Sequence, residues 1–97
     1  MITHIVFIRL KGYNSKEKSE ILNRLNTMLM ELEAKIDAIE SLETGLNFNT
    51  RPSAYDLALI VKLQSKEDID VYRTHPEHVK VLEYMKTLNL ETGVVDY

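Results

Sequence analysis

Several sequence features are missing from this chain of 97 residues, and each absence argues against a class of function. There is no cysteine, which excludes disulfide bonds, thiol nucleophiles and thiolate metal ligands. No apolar run approaches the roughly 18 residues that cross a membrane, and no basic leader with a cleavage site is present, so we expect neither a membrane segment nor a signal peptide. Acidic residues outnumber basic ones by 15 to 12 without any basic block, which argues against a nucleic-acid or anionic-lipid partner.

The remaining composition is that of one small globular domain. Hydrophobic residues make up 44% of the chain, which is too many for a disordered protein. A chain of 97 residues fits a single domain over residues 1–97. With no membrane segment and no signal peptide expected, the predicted location is the cytoplasm.

Hydrophobic spacing predicts seven elements in the order β-α-β-β-α-α-β. Alternation predicts strands over residues 1–10, 42–48, 57–63 and 94–97. Apolar residues at three- and four-residue steps predict a long helix over Ser15–Ile36, which Asn14 and Glu17 begin as a capping box. Such an order makes one antiparallel sheet with the helices packed on a single face.

Two shorter helices are predicted between the third and fourth strands. The first begins at Ser65 and stops at His75, because a residue that precedes proline avoids the helical region. Pro76 suits the first position of the next helix. Thr74 and Glu77, three residues apart, predict the cap of that second helix.

The two faces of the predicted sheet differ in what covers them. The face expected under the helices carries Val6, Ile8, Leu46, Phe48, Leu57, Leu59 and Val61. The opposite face carries Ile5, Phe7, Ala58 and Ile60, and a monomer would expose this apolar patch to water. Because such patches usually mark an interface, we expect a homodimer closed sheet to sheet with two-fold symmetry.

Histidine and tyrosine residues are the candidates for chemistry. His4 lies on the face of the first strand that meets the helices, where Tyr72 and His78 also arrive. A neutral imidazole accepts a proton near neutral pH, and a phenol donates a hydrogen bond to a developing enolate. A helix N-terminus disfavours imidazolium, which would keep His78 neutral.

Structural and metal-binding roles are the alternatives for the same residues. A histidine near a helix start can cap backbone N–H groups, and Tyr72 can be a core aromatic residue. His75 and His78, with His4 or Glu77, offer nitrogen and oxygen ligands to a divalent ion. Their spacing is not that of a zinc-binding helix, however, so we predict no metal site.

Cofactor and RNA binding are not expected. The chain has no glycine-rich phosphate loop and no Gly-x-Ser-x-Gly nucleophile elbow, and we predict no cofactor. The same strand order serves RNA-binding modules, but those need stacking aromatic and basic residues on the sheet. The corresponding positions here hold Ile5, Ala58 and Ile60.

Five segments, in order along nearly the whole chain, resemble those of a known family: 3–7, 42–49, 51–56, 72–78 and 94–97. They are similar to the stress-responsive dimeric A/B barrel (Dabb) domain, and the Tyr-x-x-His-Pro-x-His segment is the most specific of them. The resemblance implies a ferredoxin-like α+β fold, an antiparallel βαββ(αα)β sheet with helices on one face. It also implies that two copies dimerise into an α/β barrel.

The resemblance also suggests which residues form a site. In a plant polyketide cyclase of this family, the tyrosine and the last histidine of the motif catalyse an aldol-type ring closure, and these positions are Tyr72 and His78 here. The first-strand histidine matches His4. A further histidine of the cyclase matches Leu57, and its aromatic residue in the first helix matches Leu25 or Asn26, so this chain departs from the cyclase at two positions.

Three functions follow as hypotheses. The first is a homodimer that binds a small hydrophobic or aromatic ligand between sheet and helices, at His4, Leu57, Tyr72, His75 and His78. The second is a polyketide-cyclase-like lyase with His78 as general base and Tyr72 as hydrogen-bond donor. The third is a structural, stress-associated oligomer in which the histidines only stabilise a helix cap.

Overall fold

Eight elements follow one another in the computed structural model, which describes residues Met1–Tyr97. They are β1 (Ile2–Leu10), α1 (Ser15–Met30), α2 (Leu32–Lys35), β2 (Ile39–Leu46), β3 (Leu57–Leu63), α3 (Lys66–Thr74), α4 (Pro76–Lys86) and β4 (Leu90–Asp96). None of the helices combines the length and the hydropathy that crossing a membrane requires.

The four strands form one antiparallel sheet in the order β2-β3-β1-β4. Strand β1 lies between β3 and β4, and its Val6 lies opposite Leu59 of β3 and Val94 of β4. Ile5 lies opposite Ile60 and Val95 on the other face. The strand order and the antiparallel pairing confirm the predicted ferredoxin-like α+β fold.

The hydrophobic core lies between one face of this sheet and the helices. Ile8 of β1 and Val61 of β3 supply its sheet side, and Leu25 and Leu29 of α1 supply much of its helical side. The capping box at the start of α1 forms as predicted. The Asn14 side chain accepts a hydrogen bond from the backbone N–H of Glu17, and the Glu17 carboxylate accepts one from that of Asn14.

The predicted single helix over Ser15–Ile36 is wrong after Met30. Helix α1 ends at Met30, and the short helix α2 follows after Glu31. Leu32 and Ile36 are both buried, and Ile36 adopts an extended conformation that leads toward β2. The apolar spacing continues through the interruption at Glu31, so spacing alone does not reveal where the helix ends.

Three strand boundaries and two burial predictions are also wrong. Strand β2 begins at Ile39 and not at Leu42, since its pairing with β3 extends to Leu63. Strand β2 ends at Leu46, so Phe48 lies outside the sheet and is 93% exposed instead of packing under the helices. Leu46 pairs with the buried Leu57 but is 45% exposed, because it lies at the end of the edge strand β2. Strand β4 begins at Leu90 and not at Val94, since its pairing with β1 extends to Leu10.

Candidate functional site

A cavity of about 440 Å³ lies between the sheet and the helices, on the side of β1 and β4. Its walls are mostly apolar and include Val6, Ile8, Leu29, Leu59, Val81 and Met85. Its polar groups come from β1, β4 and the α3–α4 segment: His4, Tyr72, Arg73, His78, Thr92 and Asp96. The structure thus brings His4, Tyr72 and His78 to one cavity.

Tyr72 lies in the last part of α3 and is the most deeply buried of these groups. It is 0% exposed, and its hydroxyl has no hydrogen-bond partner in the chain. Burial raises the pKa of this phenol far above its ordinary value, so the hydroxyl stays protonated. An unpartnered buried hydroxyl costs about 1–3 kcal/mol. The hydroxyl is therefore a buried donor that no group of the single chain satisfies.

The His78 imidazole has a defined orientation and tautomer. Its Nδ1 lies 3.0 Å from the carbonyl oxygen of Arg73. A carbonyl oxygen only accepts, so Nδ1 carries the proton and Nε2 keeps a free lone pair. Burial is the main cause that lowers the pKa of His78. The hydrogen bond to the Arg73 carbonyl raises this pKa, and the charges of His4 and Arg73 lower it. His78 is therefore neutral at pH 7, with Nε2 as an acceptor.

The three rings lie close to one another. The ring centroids of Tyr72 and His78 are 4.4 Å apart with an interplanar angle of 46°. The centroids of His4 and Tyr72 are 5.8 Å apart in an edge-on arrangement. This geometry places a hydrogen-bond donor and a neutral base beside the same apolar volume.

His4 is held by a residue that the sequence pattern did not single out. Its side chain is buried, and its Nδ1 pairs with a carboxylate oxygen of Asp96. The two residues lie directly opposite each other on β1 and β4. Asp96 was missed because nothing in the local sequence marks it, and only the register between these two strands brings it to His4.

Two residues of the predicted ligand-binding set lie elsewhere. Leu57 is a core residue opposite Ile8, and Leu59, two residues further along β3, lines the cavity instead. His75 is the N-cap of α4, where its Nδ1 accepts a hydrogen bond from the backbone N–H of Glu77 at 3.1 Å. The predicted cap at Thr74 is wrong, because the Thr74 hydroxyl donates to the carbonyl of Asp70.

The two residues matched to the cyclase's aromatic residue in the first helix, Leu25 and Asn26, do not line the cavity either. Leu25 belongs to the buried core, while Leu29, one turn further along α1, lines the cavity. Asn26 does not line it. No three histidine, aspartate or glutamate side chains gather as a metal ion would require.

The model of the stress responsive A/B barrel domain (Dabb) matches residues 2–97 of this sequence. The chain belongs to the Dabb family. A search of curated proteins found no match for this Dabb chain.

Solved structures resemble this Dabb protein over its whole length. A dimeric protein of unknown function with a ferredoxin-like fold from Bacteroides fragilis is 31% identical, with 99% of this chain and 93% of that chain covered and a TM-score of 0.87. A dimeric ferredoxin-like protein from Thermobifida fusca is 22% identical (coverage 99% and 88%, TM-score 0.81). The hydroxynitrile lyase from Passiflora edulis is 16% identical (coverage 99% and 90%, TM-score 0.79). The last two likenesses show the fold alone.

Proposed function

We propose that this Dabb protein binds a small, largely apolar or aromatic molecule in the cavity between its sheet and its helices. The observation that carries the proposal is the Tyr72 hydroxyl, which is fully buried and unpartnered on a residue that lines the cavity. An oxygen acceptor on the ligand would complete this hydrogen bond. The apolar walls would bury the rest of the molecule.

Size and energetics support this proposal. The volume of about 440 Å³ falls within the range of roughly 300–1,000 Å³ that small-molecule sites occupy. A satisfied Tyr72 hydroxyl recovers a cost that the empty protein carries. No cofactor enters the proposal, because the chain's own imidazole and phenol groups supply its polar contacts.

Calorimetric titration with 2-naphthol, an apolar probe with one oxygen, tests the proposal. We expect wild-type protein to bind the probe and Tyr72→Phe to bind it about tenfold more weakly, as for one hydrogen bond in a site shielded from water. Tyr84→Phe is the matched control, since Tyr84 lies outside the cavity lining and packs against Arg24. Absence of binding, or equal binding by wild type and Tyr72→Phe, would contradict the proposal and favour a purely structural oligomer.

A lyase of the polyketide-cyclase type is the second candidate, and the tautomer of His78 favours it. With Nδ1 bound to the Arg73 carbonyl, Nε2 is free to take a proton from a carbon next to a carbonyl group. The electron pair left on that carbon moves onto the carbonyl oxygen, and the protonated Tyr72 hydroxyl stabilises the resulting enolate. The hydroxynitrile lyase from Passiflora edulis supports this candidate at the level of the fold alone.

Exchange of carbon-bound hydrogen in deuterated water tests the lyase. The probe is 2-acetylnaphthalene, whose methyl protons are weakly acidic. We expect wild-type protein to accelerate exchange, His78→Gln to abolish the acceleration, and Tyr72→Phe to lower it by about 100-fold, the typical loss of one oxyanion donor. Binding of naphthol without any accelerated exchange would leave ligand binding as the function and reject catalysis.

We also propose that the active form is a homodimer closed through the open face of the sheet. That face carries Ile5, Phe7, Ala58 and Ile60, none of which is fully buried in the single chain. The description of the Bacteroides fragilis protein as dimeric supports a dimer, and the apolar side chains of this face favour it as the interface. Burial of these apolar side chains against a second copy would supply its driving force.

A further inference from the structure

The cavity changes in character from its inner end to its rim. Tyr72 is sealed from solvent at the inner end, whereas the next residue, Arg73, has a side chain that is 63% exposed. Arg73 also lines the cavity, and its positive charge contributes to the lowered pKa of His78. Arg73 therefore belongs to the wall of this cavity and not to a remote surface.

Arg73 has hydrogen-bonding capacity to spare. Its one ion pair is with Asp70, at 3.7 Å, and the Asp70 side chain is 81% exposed. Such an exposed pair contributes little, and a ligand can replace it at small cost. The other charged residue of the lining, Asp96, already accepts a hydrogen bond from His4 and makes no ion pair with Arg73. Arg73 is thus the weakly engaged cation of the cavity.

We propose that Arg73 is a specificity-determining residue that selects ligands with a carboxylate group. The ligand class is then an apolar carboxylic acid that carries a second oxygen. That second oxygen accepts from Tyr72 at the inner end, the apolar body lies against Val6, Leu59 and Val81, and the carboxylate meets Arg73 at the rim. A planar guanidinium matches a carboxylate with two parallel hydrogen bonds, which a lysine at this position would not provide. This inference rests on the proposed ligand binding.

Two probes that differ only in one group test the inference by calorimetry. They are 6-hydroxy-2-naphthoate and 6-hydroxy-2-naphthamide, which share a shape but not a charge. We expect wild-type protein to bind the carboxylate about five- to tenfold more tightly than the amide at low ionic strength. Arg73→Gln should lose this preference while its affinity for the amide stays the same, and Arg73→Lys should keep part of it.

Arg51→Gln is the matched control, because Arg51 is an exposed arginine outside this cavity. It should keep the full preference of the wild type. Equal affinities for both probes in the wild type, or a preference that persists in Arg73→Gln, would overturn the role of Arg73 and leave ligand binding intact. If neither these probes nor 2-naphthol binds, the ligand-binding proposal itself fails and this inference fails with it.

Discussion

The carbonyl oxygen of Arg73 accepts a hydrogen bond from Nδ1 of His78 at 3.0 Å, and this contact decides which ring nitrogen of His78 is left as a base. The carbonyl is available because α3 ends at Thr74, and the last carbonyls of a helix have no partner within it. Pro76 then begins α4 at once, which returns the chain so that residue 78 reaches residue 73. The helix junction thus sets the chemical state of the histidine.

The lowered pKa of His78 predicts that the protein loses stability in acid. Its folded pKa lies below the ordinary value of about 6.5 expected in the unfolded chain, so the unfolded state takes up the proton first. The free energy of unfolding should therefore fall as the pH drops below about 6.5 toward the lowered folded pKa, while above it His78 adds no pH dependence. Urea unfolding at about pH 7.5 and pH 5.5 measures the loss, and the loss in His78→Gln should be smaller. Equal losses in both proteins would contradict the prediction.

His75 should matter for stability and not for the cavity. His75→Ala removes the acceptor for the backbone N–H of Glu77 at the start of α4, which should cost about 1 kcal/mol of unfolding free energy. His75→Asn, with a good capping side chain, should restore most of it. Both variants should bind 2-naphthol like the wild type, because His75 does not line the cavity. Weakened naphthol binding at unchanged stability would assign His75 to the ligand site instead.

Tyr72→Phe should be neutral or stabilising even though Tyr72 is buried in the core. The variant keeps the ring and removes only a hydroxyl that has no partner, so the unfolding free energy should rise by up to about 3 kcal/mol. The reference is Leu25→Ala, which empties a fully buried core position and should cost about 2–5 kcal/mol. Chemical denaturation of both variants checks the contrast. A loss above 1 kcal/mol in Tyr72→Phe would mean that the hydroxyl has a partner in solution.

The hydrophobic pattern of the sequence predicts the strands and helices correctly wherever buried residues recur at a regular spacing. Alternation along β1 and β3 identified both strands, and the His75–Pro76 step located the boundary between α3 and α4. The same reasoning failed at Phe48, because alternating apolar residues continue past Leu46, where pairing ends. Hydrophobicity marks a face of a strand but not the residue at which strand pairing ends.

The candidate site was only partly predictable for a similar reason. His4, Tyr72 and His78 are candidates from sequence because imidazole and phenol groups can transfer protons, and the structure brings them together. Asp96 lies almost the whole chain away from His4 in the sequence. Only the register of β1 and β4 brings the two residues together. Leu57 and Leu59 lie on the same face of β3, so their pattern is identical, and only the position of the helices decides which one lines the cavity.

The open face of the sheet predicts the assembly state. Ile60 lies opposite Ile5 at the centre of the patch, so Ile60→Lys would place a charge in the middle of a sheet-to-sheet interface. Light scattering on a sizing column should give twice the chain mass of 11.3 kDa for the wild type and the single mass for Ile60→Lys. Val71→Lys is the matched control, since Val71 is half exposed on α3, away from the sheet, and this variant should stay dimeric. A monomeric wild type, or dissociation by Val71→Lys alone, would exclude this face as the interface.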